Sequence, residues 1–449
     1  MTVEEFARRC GGTTDDGAQE IEGFATDDRH VKKGDLFICI KGENVDGHDF
    51  ADSALKKGAV ACLCERKTSG THILVKNIVE ALAKFAKTER DEFHGPVVAV
   101  TGSTGKTTTK EMIAAALSPL GPVLKSEGNR NTEYTSPLVW ADLTPEHKAV
   151  VVEMGMRGFG QIAHLASFAK PTIGVVTHIG TAHIEKVGSR EGIVQAKSEL
   201  LKALPKDGTA VLLREDDYFE DLKSNAKCNV RTFGFEQSAD CRVLGYRALS
   251  WERCAVRGTI DGETFDLELP TTGRHQALNA ACAVLVADTA GVKAKDAAKA
   301  LADVTFPPMR LQVVPFRGAT IVLDTYNASP DSTIAALKTL TEIPSKGRRL
   351  AILGEMKELG DFTESGHRLV GQALMDCPLD LVFLTGGPTS YIGDEARMAG
   401  FPAEKIVEQQ EYDLSEVVRF LDGVRPGDTV LIKGSRALGL ERALEALHT

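Results

Sequence analysis

Val98-Ala99-Val100-Thr101-Gly102-Ser103-Thr104-Gly105-Lys106-Thr107-Thr108-Thr109-Lys110 is the stretch whose reading decides the fold. Val97, Val98 and Val100 supply the β-branched side chains of a buried strand. The strand breaks at Gly102, and the pattern resumes as a helix from Lys106 through Leu117. A glycine loop between strand and helix aims successive backbone N–H groups at one spot, the positive end of the helix dipole, which suits a phosphate. Gly102, Ser103, Thr104, Gly105, Lys106, Thr107 and Thr108 are therefore the expected ATP-binding residues. Lys106 would add charge for the outer phosphates, and the Thr107 hydroxyl could ligate Mg²⁺. The spacing is the short Gly-x-x-Gly-Lys-Thr, since the five-residue spacing would need glycine at Val100. A tight strand-to-helix turn with a surface lysine is the bland alternative; the buried strand before, the helix after and the threonines behind Lys106 favour the nucleotide.

Outward from this loop the chain reads as α/β. Leu36–Ile40, Ala59–Leu63 and His72–Val75 read as strands, with a helix near Ala51–Lys57. The intervening Lys41-Gly42-Glu43-Asn44-Val45-Asp46-Gly47-His48-Asp49-Phe50 mixes glycines with Lys41, Asp46 and His48. A polar ligand site and an ordinary surface loop fit those residues equally well. Ala149–Glu153 is a valine strand ending on a carboxylate, and Thr172–Thr177 is a third strand of that kind, feeding His178 to Glu185. Ligands of open α/β sheets gather at the carboxyl ends of strands. That places Glu153 like a Mg²⁺-binding acid, or an acid capping a neighbouring helix, and makes His183 a ligand candidate. A helix over roughly Gly192–Leu204 carries Lys197, which nothing local marks out.

From Val230 to Pro270 short β runs with a turn at Asp261-Gly262 suggest an antiparallel flank. The alanine-rich helix Gln276–Thr289, carrying Asn279, follows, and Thr305-Phe306-Pro307-Pro308 marks a boundary. Beyond it, strands at Ala319–Asp324, Arg349–Leu353, Leu381–Thr385 and Thr429–Lys433 alternate with helices near Ser332–Leu340, Glu364–Asp376, Leu414–Leu421 and Leu438–Ala446. Such alternation implies a mostly parallel sheet. The expected layout is three α/β domains: a small N-terminal one (residues 1–90), a central P-loop ATPase-like sheet (91–308) and a C-terminal Rossmann-like one (309–449).

Composition narrows the function class. The chain has 449 residues, 43% hydrophobic and 26% charged, as an ordinary globular protein has. A net charge of −10 without a long basic run argues against nucleic acid or anionic membrane as partner. No stretch has the apolar length of a membrane span, and Met1-Thr2-Val3-Glu4-Glu5 lacks a signal peptide's apolar core, so a cytoplasmic protein is expected. Nine cysteines without metal-ligand spacing favour core thiols over a metal site or disulfides. Cys62 and Cys64 would share one face of a strand.

Taken together these motifs resemble the Mur ligases of peptidoglycan synthesis, over nearly the whole chain. The resemblance rests on Thr26-Asp27-Asp28-Arg29, Gly34–Phe37, Lys41-Gly42 and Asp46–Phe50; then Thr101–Lys110, Glu153–Met156, Gly180-Thr181-Ala182-His183, Ala196–Glu199, Gly273-Arg274-His275 and Asn279. In the last third it rests on Met309-Arg310-Leu311, Asp324–Pro330, Gly354–Gly360 and Lys433-Gly434-Ser435-Arg436. The last two stretches are similar to those of the branch that adds D-alanyl-D-alanine.

The resemblance implies an ATP-dependent amide ligase acting on UDP-N-acetylmuramoyl-tripeptide and D-alanyl-D-alanine through an acyl phosphate, as a monomer. It implies Asn279, Arg310, Asp324 and Tyr326 at the nucleotide. It implies two Mg²⁺ ions at Thr107, Glu153, His183 and an N-carboxylated Lys197, with Lys106, Lys197 and His183 catalytic. Asp27, Arg29, Lys41, Asp46, Gly47, His48, Asn129, Asn131, Asn327, Lys433, Ser435 and Arg436 would bind the substrates. Position 28 is Asp where the family favours Ser or Thr, Gln276 replaces a common Asn, and Asn131 is followed by Thr132 where the family pairs a second Asn. Rival readings are a sibling ligase (diaminopimelate-adding, folylpolyglutamate or cyanophycin type) and a non-catalytic ATP-binding regulator. The Gly354–Gly360 motif argues against the first, and the joint presence of Lys106, Thr107, Glu153, His183 and Lys197 argues against the second.

Overall fold

The computed structural model describes residues 1–42 and 45–448; Glu43 and Asn44, inside the Lys41–Phe50 stretch, lie outside the described residues. The chain forms two compact units, one of Met1–Ala99, Pro122–Gly155 and Gly160–Thr172, the other of Val100–Gly121, Met156–Phe159 and Ile173–Thr449.

The first unit is built on a four-stranded parallel sheet, Gly23–Ala25, Asp35–Ile38, Ala61–Cys64 and His72–Leu74, side by side in chain order. Its strands are short apolar runs because both faces are buried. The helix Val3–Cys10 begins where the Thr2 hydroxyl accepts the Glu5 N–H and ends at Gly11, which takes the left-handed conformation that glycine adopts without strain. Its Phe6 lies 4.5 Å, ring centre to ring centre, from Phe85 of the helix Ile78–Glu92. That helix runs past residue 90, the expected first boundary. Val123–Lys125 pairs in parallel with Ala149–Glu153 in the same unit.

In the second unit Ile173–Val176, Thr209–Leu213 and Asn229–Gly234 pair in parallel, and Cys241–Ser250, Arg253–Ile260 and Glu263–Leu269 continue as the expected antiparallel flank. Asp261 and Gly262 both have positive φ, which suits the tight hairpin turn between the last two strands. The helix Arg274–Thr289 is buried almost all round, so its alanines let it pack closely on Lys106–Leu117. A second sheet has the order Gln312–Phe316, Ala319–Asp324, Thr429–Lys433, Arg349–Gly354, Leu381–Thr385, Ile406–Gln409, parallel except for its first pair. Thr429–Lys433, the last strand in the chain, thus lies between two much earlier ones.

One expected helix is broken. The helix read over Leu438–Ala446 is a single 3₁₀ turn, Arg436–Leu438, then Gly439 in the left-handed conformation, then a helix over Arg442–His448. Gly439 breaks the run that its apolar neighbours suggest. The cysteines are all free, and all but Cys228 are buried. Among the described residues no helix is long and apolar enough to cross a membrane.

Candidate active site

The strand Val97–Thr101 ends in the loop, and the helix Lys106–Leu117 opens behind Gly105, which has no side chain to cap it. The positive end of such a helix suits an anion. Gly105 has φ +79° and Gly102 φ +150°. The loop is pinned from behind: Ser103 N–H donates to the His178 carbonyl (2.8 Å), and the Thr177 hydroxyl donates to the Thr104 carbonyl (2.6 Å). Thr177, the residue just past the strand Ile173–Val176, was not among the sequence-derived site residues; its place at a strand end beside the loop was the available signal. A methyl on Gly102 would stand 1.9 Å from the Thr177 hydroxyl oxygen. Gly102→Ala is accordingly expected to displace Thr177, cost about 1–3 kcal/mol of stability and weaken nucleotide binding about tenfold or more. Denaturant unfolding and calorimetric titration with a non-hydrolysable ATP analogue check this.

Lys106 folds back over the loop, its Nζ donating to the Gly102 carbonyl at 2.8 Å and reaching Ser103 at 3.4 Å. Arg310 reaches the same place from the boundary segment. Its guanidinium lies 4.2 Å from the centre of the Tyr326 ring and donates to the Thr107 hydroxyl at 2.8 Å. Met309 and Leu311, on either side, both have positive φ without being glycine, an unfavourable backbone that sets the direction of Arg310. Asn279, buried on its helix, donates to Gln276 at 3.0 Å, and its side-chain oxygen would lie 3.3 Å from a methyl placed on Gly105. So the loop, Asn279, Arg310 and Tyr326 come together as expected.

Asp324 is engaged otherwise. It stands across the sheet from Lys433 and pairs with it at 2.6 Å, while Lys433 also donates to the Asn327 carbonyl at 3.0 Å. His275 faces this pair. Burial lowers its pKa to about 4, with Lys433 adding to that and Asp324 opposing it, so the ring is neutral at physiological pH.

Lys197 is buried on the helix Arg190–Ala203. Burial, and then the charge of Lys106, push its amine well below the usual lysine range. His183 sits in the left-handed conformation and pairs through Nδ1 with Glu358 at 2.7 Å, a carboxylate of the Gly354–Gly360 stretch. In the first unit, Glu153 is buried at its strand end, with its N–H on the Ser126 hydroxyl (3.0 Å) and its carboxylate accepting from Asn131 Nδ2 (2.7 Å). Asn131 also accepts the Gly155 N–H and donates its own to Asn129. Among the described residues, no three His, Cys, Asp or Glu side chains converge as a metal cluster. The Mg²⁺ donors expected from the sequence are of another kind. A hydroxyl, a carboxylate and a carbamate are hard oxygens that suit Mg²⁺, whereas an ammonium at Lys197 would repel it.

The first unit's substrate candidates are ordered by local bonds. Asp27 caps the turn Asp28–His30 and grips the exposed Arg29 through both side-chain oxygens, which holds its carboxyl well below the usual range. Asp28 donates no free charge to its surroundings: it accepts from Lys57 (2.7 Å) and Ser53 (2.8 Å), and those bonds lower its pKa. The backbones of Lys41 and Asp46 pair as an isolated antiparallel β-bridge. A methyl on Gly47 would meet the Ile40 backbone at 2.6 Å. His48 is buried with both ring nitrogens used, Nδ1 on Asp46 (2.6 Å) and Nε2 accepting the Glu65 N–H (2.9 Å), so it shapes the loop.

At the other sheet, Lys433–Arg436 and Gly354–Gly360 meet. Ser435 N–H donates to the Glu355 carbonyl (3.1 Å), and its hydroxyl accepts the Lys357 N–H (2.8 Å). His367, which sequence reading passed over, accepts the Met356 N–H at 3.1 Å and steadies the same turn. Asn327 and Arg436 are exposed beside it.

Comparison with known proteins adds three matches in succession. Residues 20–103 match the Mur ligase family catalytic domain, 100–287 the Mur ligase middle domain, and 309–436 the Mur ligase glutamate ligase domain. The chain is 37% identical to the UDP-N-acetylmuramoyl-tripeptide–D-alanyl-D-alanine ligase of Synechocystis sp., over 95% of this chain and 92% of that one. Among solved structures it is similar to MurF from Acinetobacter baumannii, with a TM-score of 0.87, 28% identity and 99% and 98% of the two chains covered. MurF from Thermotoga maritima in complex with ADP gives 0.81, with 34% identity over 95% and 96%.

Proposed function

The chain belongs to the Mur ligase family, with that family's three-domain α/β architecture, and from this we propose that it is the ATP-dependent ligase joining D-alanyl-D-alanine to UDP-N-acetylmuramoyl-tripeptide in peptidoglycan precursor synthesis. The observation that carries the reading is the meeting of two stretches 78 residues apart, Gly354–Gly360 and Lys433–Arg436, through Ser435 and Lys357. Those stretches are the ones similar to the D-alanyl-D-alanine-adding branch. They stand in the same unit as the phosphate loop, Asn279, Arg310 and Tyr326.

The reaction is a two-step amide synthesis. The tripeptide's terminal carboxylate attacks the γ-phosphorus of ATP, giving an acyl phosphate and ADP. The free amine of the dipeptide then attacks the acyl carbon, and phosphate leaves. Two anions must approach in the first step, so charge neutralisation and alignment dominate catalysis. The loop amides and Lys106 hold the phosphates, Arg310 screens them after leaving Thr107, and Tyr326 supports Arg310. Of the residues we propose for Mg²⁺, Thr107, His183 and carbamoylated Lys197 belong to the second unit and Glu153 to the first; the metal would supply further neutralisation of the phosphate oxygens. We assign the UDP-sugar peptide to residues 1–90, ATP to 91–308 and the amine to 309–449, with Asp27, Arg29, Lys41, Asp46, Gly47, Asn129 and Asn131 on the first substrate and Asn327, Lys433, Ser435 and Arg436 on the second. The protein is assigned to the cytoplasm, where ATP and nucleotide-activated sugars are available, and to the monomeric state.

Incubation with MgATP, UDP-N-acetylmuramoyl-tripeptides carrying lysine or diaminopimelate, and candidate amines tests the assignment. ADP release is expected with D-alanyl-D-alanine and much less with L-lysine, diaminopimelate or glutamate. If neither tripeptide supports dipeptide-dependent release, the assignment fails; release with a single amino acid would favour a sibling ligase.

A further inference from the structure

His178 lies just past the strand Ile173–Val176 and is not among the residues assigned above to ATP, metal or substrate. Its ring is gripped from two sides. Nδ1 is 3.1 Å from Asp216 Oδ2, and Nε2 is 4.0 Å from Asp331 Oδ1. Asp216 follows the strand Thr209–Leu213, and also accepts the Ile179 N–H (2.8 Å) and the Tyr218 N–H (3.0 Å). Asp331 comes from the segment 309–436 that matches the last family domain. It is the second residue of the helix Pro330–Glu342, where negative charge suits the helix dipole. Its Oδ2 accepts both the N–H (3.0 Å) and the hydroxyl (3.2 Å) of Thr181. Gly180 makes room, since a methyl there would stand 2.3 Å from that oxygen.

We propose that His178, held as a cation between Asp216 and Asp331, is a positioning residue that latches the helix Pro330–Glu342 onto the Ile179–Thr181 loop, and that loss of its proton releases the latch. At 4.0 Å the contact with Asp331 is a charge attraction and not a hydrogen bond, so a neutral imidazole keeps its hydrogen bond to Asp216 and loses the attraction to Asp331. The His178 carbonyl accepts from Ser103 of the phosphate loop, so the latch and the loop share a residue. The remaining charged groups around the ring agree with a cation there. Arg190 donates to the Ile179 carbonyl (2.9 Å) and pairs with Asp217 (2.8 Å); the Asp331 charge also reaches it, whereas Asp216 is hydrogen-bonded to His178. Burial alone would discharge His178, but the two carboxylates outweigh it and raise its pKa to about 9. Burial likewise opposes the charge on Asp216 and Asp331, yet their hydrogen bonds keep both below the usual carboxylate range. Because the folded value is raised, the His178 contribution to the latch is fully made below the free histidine pKa and is lost as pH rises through about 9, leaving Asp331 held by its bonds from Thr181.

The effect on amine use rests on the ligase reading; the latch itself does not. Hydrogen–deuterium exchange of the full chain, corrected for intrinsic rates, is measured for peptides spanning 176–184 and 329–337, with the buried helix Arg274–Thr289 as control. Protection of the first two is expected to fall about tenfold from about pH 7 to about pH 10 while the control holds. Asp331→Asn and His178→Gln are expected to start low at neutral pH and to show no such pH dependence. In the ligase assay, both variants should raise the KM for D-alanyl-D-alanine about tenfold with kcat little changed. Wild-type protection that is flat across this range would overturn the latch, and needs no variant to fold. Protection that behaves as expected in a protein with no dipeptide-dependent ADP release would keep the latch and sink the ligase reading instead.

Discussion

Lys106→Ala is expected to lower kcat by about 10³-fold, the scale set by removing one preorganised charge from a transition state, with the fold unchanged. In the structure the ammonium is spread over loop carbonyls at 2.8 Å and 3.4 Å, in the place where phosphate oxygens would collect. Its bonds there are replaceable by water, so thermal unfolding should shift little. The loss falls on the step in which a carboxylate approaches a phosphate. A second consequence follows from Lys106 being one of the two causes that depress Lys197. Without Lys106 the Lys197 amine should hold its proton to higher pH, which a site-specific labelling rate for that amine would register. Near-normal turnover in Lys106→Ala would remove the loop lysine from the mechanism.

Lys197→Ala is expected to be nearly inactive, down about 10²–10³-fold, with partial rescue by formate or acetate. The chemistry is a carbamate: the amine nitrogen bonds to the carbon of CO₂ and releases a proton, turning a would-be cation into a pair of oxygen donors. Sequence alone suggests that alkaline pH is needed to free the amine, since an ordinary lysine is almost wholly protonated near neutrality. Burial and the adjacent Lys106 lower that requirement, because they disfavour the ammonium, while Lys106 favours the anion that replaces it. Occupancy should therefore follow bicarbonate more than pH around neutrality. ¹³C-bicarbonate labelling read by NMR, alongside activity after removal of CO₂, measures it. A bare ammonium at Lys197 in an experimental structure with Mg²⁺ bound would end this role.

Much of the architecture was legible because it is written locally. Lys106–Leu117, Ala319–Asp324, Leu381–Thr385 and Thr429–Lys433 are helix and strands with the same ends that pattern predicts. Valine runs, glycine breaks and helical spacing act over a few residues, and each is readable where it stands. Gly439 is the local exception, where an apolar run hid a left-handed break. His48 and Asp28 were legible as polar residues near a ligand loop. Their partners were not, because Glu65 and Lys57 arrive from elsewhere in the unit.

What the amino-acid order determined by itself was the strand–loop–helix seat for phosphate, the β-α alternation and the residue types available at each strand end. Only the tertiary structure decided which of those residues meet. Arg310 reaches Thr107 across 203 positions, and Lys433 reaches Asp324 across 109 because the last strand of the chain inserts beside Ala319–Asp324. The depressed amine of Lys197 and the cation at His178 belong to the same class, set by burial and by charges brought from distant segments. The reason is physical: hydrophobic periodicity fixes which face of an element is buried, whereas a side chain's charge state and partner depend on strand order and on the dielectric around it, which no local window of sequence contains.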